Sequence, residues 1–350
     1  SVNIDMIAAA APNSLNQLRV QSEGYDLCVI DLGDLAARKE EENTTMALLR
    51  GECEAFKERG AALSGLDVYI SSNVPKGSGV SSSAAFEVLI GVILNDRFMA
   101  EKVSPIAIAQ IGQWAENVYF GKPCGLMDQT ACAVGKVITI DFKEVGHPVV
   151  REVPFDLAAK GFALCISDTK GSHADLTDDY AAVRREMESV AEFFGKKVLR
   201  DVDEETFLKA IPEVRKVTGD RAVVRAIHFY NDSRRAGEIY EAIKADDFDR
   251  FLQLIIEGGH SSFEFNQNAY SIKNPQEQGV PLALAISQKV LNGRGAWRLQ
   301  GGGFAGTIQA FVPLALLETY KNAIDAVFGA GSCHVLSVRN YGAVMVTPDM

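Results

Sequence analysis

Alternating apolar and polar positions open the chain. Over residues 2–10, 18–22 and 27–31 they predict three short strands, parted by Pro12-Asn13-Ser14 and Glu23-Gly24 turns. The spacing then lengthens to a helical period and predicts a helix from about Thr44 to Arg59, followed by a strand at Leu66–Ser71. Two further helices are predicted, one over residues 81–100 and one from Pro105, a residue favoured in a first turn, to about Tyr119. Ile106, Ala109, Ile111, Trp114 and Val118 mark the buried face of the second. After a turn at residues 121–125, strand-like patterns cover 131–142 and 148–154. A fresh apolar strand at Gly161–Ser167 opens the second half, so the domains are expected at 1–158 and 159–350. That half reads as helices at 177–194, 204–210, 221–243, 246–259 and 280–292, then strands at 296–300, 307–312 and 334–337 with a helix at 314–328. Phe263–Gln278, rich in Asn and Gln, is expected to be a surface loop. The class is α+β, and no internal repeat is present.

With 350 residues, 47% apolar and 23% charged, the chain can build two domains, each with its own core. A net charge of −11 and the lack of any basic run argue against nucleic-acid partners. No apolar run reaches the ~18 residues that a membrane span needs, and the first residues carry no basic-then-apolar signal pattern. A cytosolic monomer without membrane partners is therefore expected. The six cysteines (Cys28, Cys53, Cys124, Cys132, Cys165, Cys333) contain no C-x-x-C and read as reduced core residues. Five dispersed histidines make a histidine metal site unpromising.

Candidate chemistry concentrates at residues 74–89. Pro75, Gly77, Ser78, Gly79 and Val80 form a tight turn, and Ser81, Ser82 and Ser83 stand before Ala84 where a helix begins. A turn whose N–H groups point one way, feeding a helix N-terminus, suits a phosphate held by oriented amides and the helix dipole. A plain strand-to-helix turn with a serine N-cap is the alternative. Neither Gly-x-Gly-x-x-Gly nor a Gly-Lys-Ser/Thr closure is present, so this is neither the dinucleotide fingerprint nor the common P-loop. Two other stretches stand out, Gly125-Leu126-Met127-Asp128-Gln129 and the glycine-rich Gln300–Thr307. Alone, Asp128 could cap a helix and the glycines could make a tight interstrand turn.

Taken together in this order, the three stretches resemble the galactokinase branch of the GHMP small-molecule kinase family. The serine cradle is similar to that family's Pro-x-x-x-Gly-Leu-Ser-Ser-Ser-Ala-Ala motif with Val80 for leucine, and Gly301–Gly306 to its Gly-Gly-Gly-Phe-Gly-Gly with Ala305 for one glycine. Residues 124–129, His173–Tyr180 with Arg184 and Arg185, and Arg225–His228 resemble galactokinases in particular. The resemblance implies a ribosomal-protein-S5-like amino-terminal domain and a ferredoxin-like carboxy-terminal domain with added helices. It implies ATP and Mg²⁺ as cofactors and galactose as substrate. On matching positions it assigns residues 75–84 to the ATP phosphates, Ser83 and Glu116 to Mg²⁺, Asp128 to the catalytic base, and Gly125, Asp128, Tyr180, Gly301 and Gly302 to the sugar. Oxygen donors of this kind are what Mg²⁺ prefers.

One departure bears on activity. The family's Arg-x-Asn-x-x-Gly-Glu-His-Thr-Asp type motif is missing, and Ser1-Val2-Asn3-Ile4-Asp5 begins in the strand that would follow it. A fragment with little sugar kinase activity is therefore expected, the complete protein being active. A kinase for N-acetylgalactosamine, a uronic acid or arabinose, and a non-catalytic regulator that binds galactose and ATP, are the competing expectations.

Overall fold

A computed structural model describes residues 1–74, 81–171 and 176–346. The chain forms two compact units, the first comprising residues 1–74, 81–140 and 338–346 of the described chain and the second 141–171 and 176–337.

In the first unit, β1 (Met6–Pro12), β2 (Gln17–Ser22) and β3 (Cys28–Asp31) are followed by α1 (Thr45–Glu58), β4 (Leu66–Ser72), α2 (Ser82–Met99), α3 (Pro105–Ala115) and α4 (Met127–Val134). The sheet order is β1-β4-β2-β3. β1 runs antiparallel to β4 from Met6 opposite Ser72, and β2 lies parallel to β4 from Leu18 opposite Leu66. Strand periodicity puts Leu66, Val68 and Ile70 on one face with Leu18, Val20 and Ile30, all buried. Helices α1, α2 and α3 pack against one another. Thr44 and Ser104 cap α1 and α3, accepting from Ala47 N and Ala107 N, and Pro105 occupies the first helical turn. α1 approaches the chain after α3 closely at Gly51, where a Cβ would lie 2.9 Å from Tyr119 Cγ.

The division between the units falls at the end of β5 (Val137–Asp141), earlier in the chain than the expected 158/159. Residues 338–346 belong to the first unit because their backbone and side chains pair there. Lys136 N donates to Arg339 O, Ala343 N donates to Cys132 O, and Arg339 bridges Asp5 at 3.0 Å.

The second unit continues with β6 (Val149–Val153), β7 (Phe162–Asp168), α5 (Thr177–Phe193), α6 (Glu204–Thr218), α7 (Asp220–Lys244), α8 (Phe248–Ser261), α9 (Gly279–Leu291), β8 (Ala296–Leu299), β9 (Thr307–Pro313), α10 (Leu317–Phe328) and β10 (Cys333–Leu336). Its sheet runs β10-β7-β9-β8, antiparallel throughout. Trp297, Ala310, Val312, Tyr320 and Ile324 form a core beneath it, and Val190, Phe207, Val214 and Ala226 form another among α5, α6 and α7. All six cysteines are free thiols. Among the described residues no helix is long and apolar enough to cross a membrane.

Two expectations are corrected. Residues 131–134 are helical, because α4 runs on to Val134, and only residues 137–141 of the expected strand are extended. The segment 263–278 is not wholly a surface loop. Residues 262–266 continue α8 as a π-helical turn, and Asn266, Asn268, Ala269 and Ser271 are buried.

Candidate functional site

Of the phosphate cradle, Pro75, Gly77, Ser78, Gly79 and Val80 lie outside the described residues. Ser81 is the N-cap of α2, with φ +41°, and its side chain makes no capping hydrogen bond to that helix. The hydroxyl instead donates to Asp128 Oδ2. Ser82 is exposed, Ser83 half-buried and Ala84 buried in the first turn. A helix start whose cap hydroxyl is engaged elsewhere is suited to take an anion on its first N–H groups.

Asp128 sits in the first turn of α4, not in the loop before it. That loop is shaped by the π-helical turn Glu116–Phe120 that follows α3 and is stopped by Gly121 at φ +82°. Asn117 Oδ1 accepts from Cys124 N at 2.7 Å, and Gln113 Nε2 donates to Cys124 O at 3.2 Å. Gly125 follows, exposed, and a Cβ there would meet nothing within 4 Å. Thr130 Oγ1 bonds back to Leu126 O at 2.7 Å and anchors the helix.

Beneath α2 lies a group of buried polar side chains. Gln129 Nε2 donates to Glu87 Oε2 at 3.0 Å and to Glu116 Oε2 at 3.3 Å. Glu116 is 3% exposed, and its Oε1 stands 3.7 Å from Lys122 Nζ. Burial, and then the neighbouring Glu116 carboxylate, push Glu87 up to about 8. Glu52 on α1 is fully buried without a hydrogen-bond partner, and desolvation holds its carboxyl well above the usual range. Ser83 and Glu87 are four residues apart on α2 and so lie one turn apart on one face. The Glu116 carboxylate is linked to that face through Gln129 and Glu87, and hydroxyl and carboxylate oxygens of this kind are the donors Mg²⁺ takes.

In the second unit, Tyr180 on α5 donates from its hydroxyl to Gly303 O at 2.8 Å and packs edge-on to Phe304, ring centroids 5.4 Å apart. Gly301 has φ +68°, and a Cβ on Gly302 would fall 2.8 Å from Tyr180 Cε1, so glycine is required at both. Asn268 supports the same loop. Its Nδ2 donates to Gly302 O at 3.0 Å, and its carbonyl accepts from Phe304 N at 2.5 Å. Residues 172–175, which include His173, lie outside the described chain.

The predicted residues Ser81, Ser83, Glu116, Gly125 and Asp128 thus fall in the first unit, and Tyr180, Gly301 and Gly302 together in the second. Sequence reasoning passed over Glu87, Gln129 and Asn268. Gln129 stood inside a stretch already singled out, and a carboxamide next to a candidate base was its one local signal. Nothing near Glu87 or Asn268 announces their long-range partners.

Residues 46–136 match the family described as GHMP kinases N terminal domain. The galactokinase of Streptomyces coelicolor is 31% identical over 331 residues, which cover 93% of this chain and 81% of that protein. The galactokinase of Actinobacillus pleuropneumoniae is 33% identical over 282 residues, 79% of this chain and 67% of that one. Among solved structures, Lactococcus lactis galactokinase complexed with galactose superposes with a TM-score of 0.81 at 22% identity, covering 99% of this chain and 88% of that chain. Mevalonate kinase of L. major in complex with R-mevalonate superposes with a TM-score of 0.62 at 14% identity, covering 98% and 89%. Both superpositions are likenesses of fold.

Proposed function

We infer that this chain, which belongs to the galactokinase family of GHMP kinases, transfers the terminal phosphoryl group of ATP to the anomeric hydroxyl of galactose, giving galactose 1-phosphate and ADP. The observation that carries the mechanism is the meeting of Ser81 and Asp128, which brings the entry of the cradle helix to a carboxylate. Asp128 is the base, accepting the hydroxyl proton as the sugar oxygen bonds to phosphorus and the bond from phosphorus to the ADP oxygen breaks. Ser81 holds the carboxylate in place before the sugar arrives. Residues 75–84 carry the phosphates on backbone N–H groups and serine hydroxyls. Ser83 and Glu116 would hold Mg²⁺, which when bound neutralises charge on the phosphate oxygens. Tyr180, Gly125, Gly301 and Gly302 contact the sugar, the glycines by permitting close approach. A cytosolic monomer belongs to the same proposal.

Galactose-dependent ADP formation tests it. Asp128→Asn should lower kcat by roughly 10²–10⁴-fold with nucleotide affinity retained, the usual worth of a positioned base. Unchanged turnover in that variant would remove Asp128 from the chemistry.

A further inference from the structure

The buried group under α2 holds more than the reaction as described uses. Glu116 and Asp128 have roles, whereas Gln129, bonded to the one and next in the chain to the other, has none. We propose that Gln129 is a positioning residue of the phosphoryl-transfer site, whose carboxamide fixes the Glu116 carboxylate against α2 while the preceding residue, Asp128, faces Ser81. This rests on the kinase reading and on Glu116 as the carboxylate that would hold the metal.

The amide nitrogen has two hydrogens, and its two nearest acceptors are carboxylate oxygens, Glu87 Oε2 at 3.0 Å and Glu116 Oε2 at 3.3 Å, with the weaker acceptor Cys124 Sγ at 3.7 Å. The amide oxygen, by contrast, is buried with no partner. An orphaned carbonyl costs about 1–3 kcal/mol, a cost that an apolar side chain of the same volume would avoid, so packing alone does not account for a glutamine here. Consecutive helix residues project about 100° apart, which lets one turn of α4 send Asp128 to Ser81 and Gln129 into the interior. The contacts α2–Glu87–Gln129–Glu116 therefore join the cradle helix to the carboxylate that would hold the metal.

The other Glu116 oxygen has a different partner. With Oε2 of Glu116 engaged by Gln129, Oε1 is left facing Lys122, whose side chain is 64% exposed. An exposed lysine at 3.7 Å is a weakly held partner that a cation can replace. Gln129 thus decides which oxygen of Glu116 is offered and in what orientation.

The test is calorimetric titration of ADP into the full chain with and without saturating Mg²⁺, which reads metal coupling without turnover. Gln129→Leu should lose about tenfold or more of the affinity that Mg²⁺ adds, while metal-free ADP affinity stays within about threefold of wild type. Gln129→Met, closer in length, carries the same expectation should the leucine variant fold poorly. Glu87→Leu should lose less, about threefold, because Glu116 stays tied to Gln129. The proposal is overturned if Gln129→Leu and Gln129→Met keep the full Mg²⁺ gain, if they lose affinity equally with and without Mg²⁺, or if wild type shows no gain at all. Should the coupling behave as expected while no ADP forms with galactose, the galactose reading falls and the placing of Glu116 by Gln129 for metal-coupled nucleotide binding stands.

Discussion

Ser81 Oγ donates to Asp128 Oδ2, so the N-cap of α2 orients a carboxylate on α4 and leaves its own helix uncapped. Ser81 is also one of the few non-glycine residues with positive φ. Ser81→Gly removes the hydroxyl but suits that backbone. Folding stability should hold within about 1 kcal/mol by denaturant titration, while kcat falls roughly tenfold for loss of one hydrogen bond to a charged group. Equal losses of stability and kcat would mean that the serine serves the fold and not the base.

Glu52 makes folding pH-dependent. Its folded carboxyl is raised above the ordinary value by burial first and by Glu87 second, so the folded state keeps a proton that the unfolded chain gives up. Its contribution is fully present below the unfolded pKa of about 4.3 and is lost as pH rises through the raised value. Glu52→Gln, neutral at every pH, should therefore melt higher than wild type at pH 8 and match it near pH 4. Parallel melting curves across that range would show that the site is ionised without cost.

Tyr180 and Gly302 are fitted to each other, and Gly302→Ala would drive a methyl group to 2.8 Å from the ring. The ring must turn away, breaking its bond to Gly303. The KM for galactose should rise several-fold, with the KM for ATP little changed. Tyr180→Phe should lose about 1 kcal/mol of stability for the same hydrogen bond, read in chemical denaturation.

Arg225 is almost fully buried, bonded to Glu186 at 2.9 Å and to Asn266 O at 3.0 Å. Arg225→Met strands both acceptors, although Arg221 still reaches Glu186. Removing one partner of a buried pair costs about 3–5 kcal/mol, and the retained Arg221 puts the expected loss at the low end. Urea unfolding checks it.

Much of the fold was legible because its signals are local. Proline after a capping serine opened α3, and glycine-free apolar runs marked β7 and β9. The failures share a cause in tertiary contact. Thr130, Cys132 and Val134 favour a strand by residue type, yet the bond from Thr130 to Leu126 and the anchoring of Gln129 hold the segment helical. Asn266 and Asn268 read as solvent-seeking, but their carbonyls receive Arg225 and Phe304 from distant elements. The motif residues Ser81, Glu116 and Asp128 were visible as types in order. Their mutual geometry, and the silent role of Gln129, depended on which helices pack together.

The first unit is completed by residues 338–346, which follow the whole of the second unit in the chain. On the ribosome it must wait. The pairing of Lys136 with Arg339 closes a loop of roughly 200 residues and that of Asp5 with Arg339 one of 334, whose entropy cost grows slowly with length but whose closure comes late. The second unit, continuous in sequence among the described residues, can finish first, so the unit that carries Asp128 and Glu116 matures only after residues 338–346 have been made.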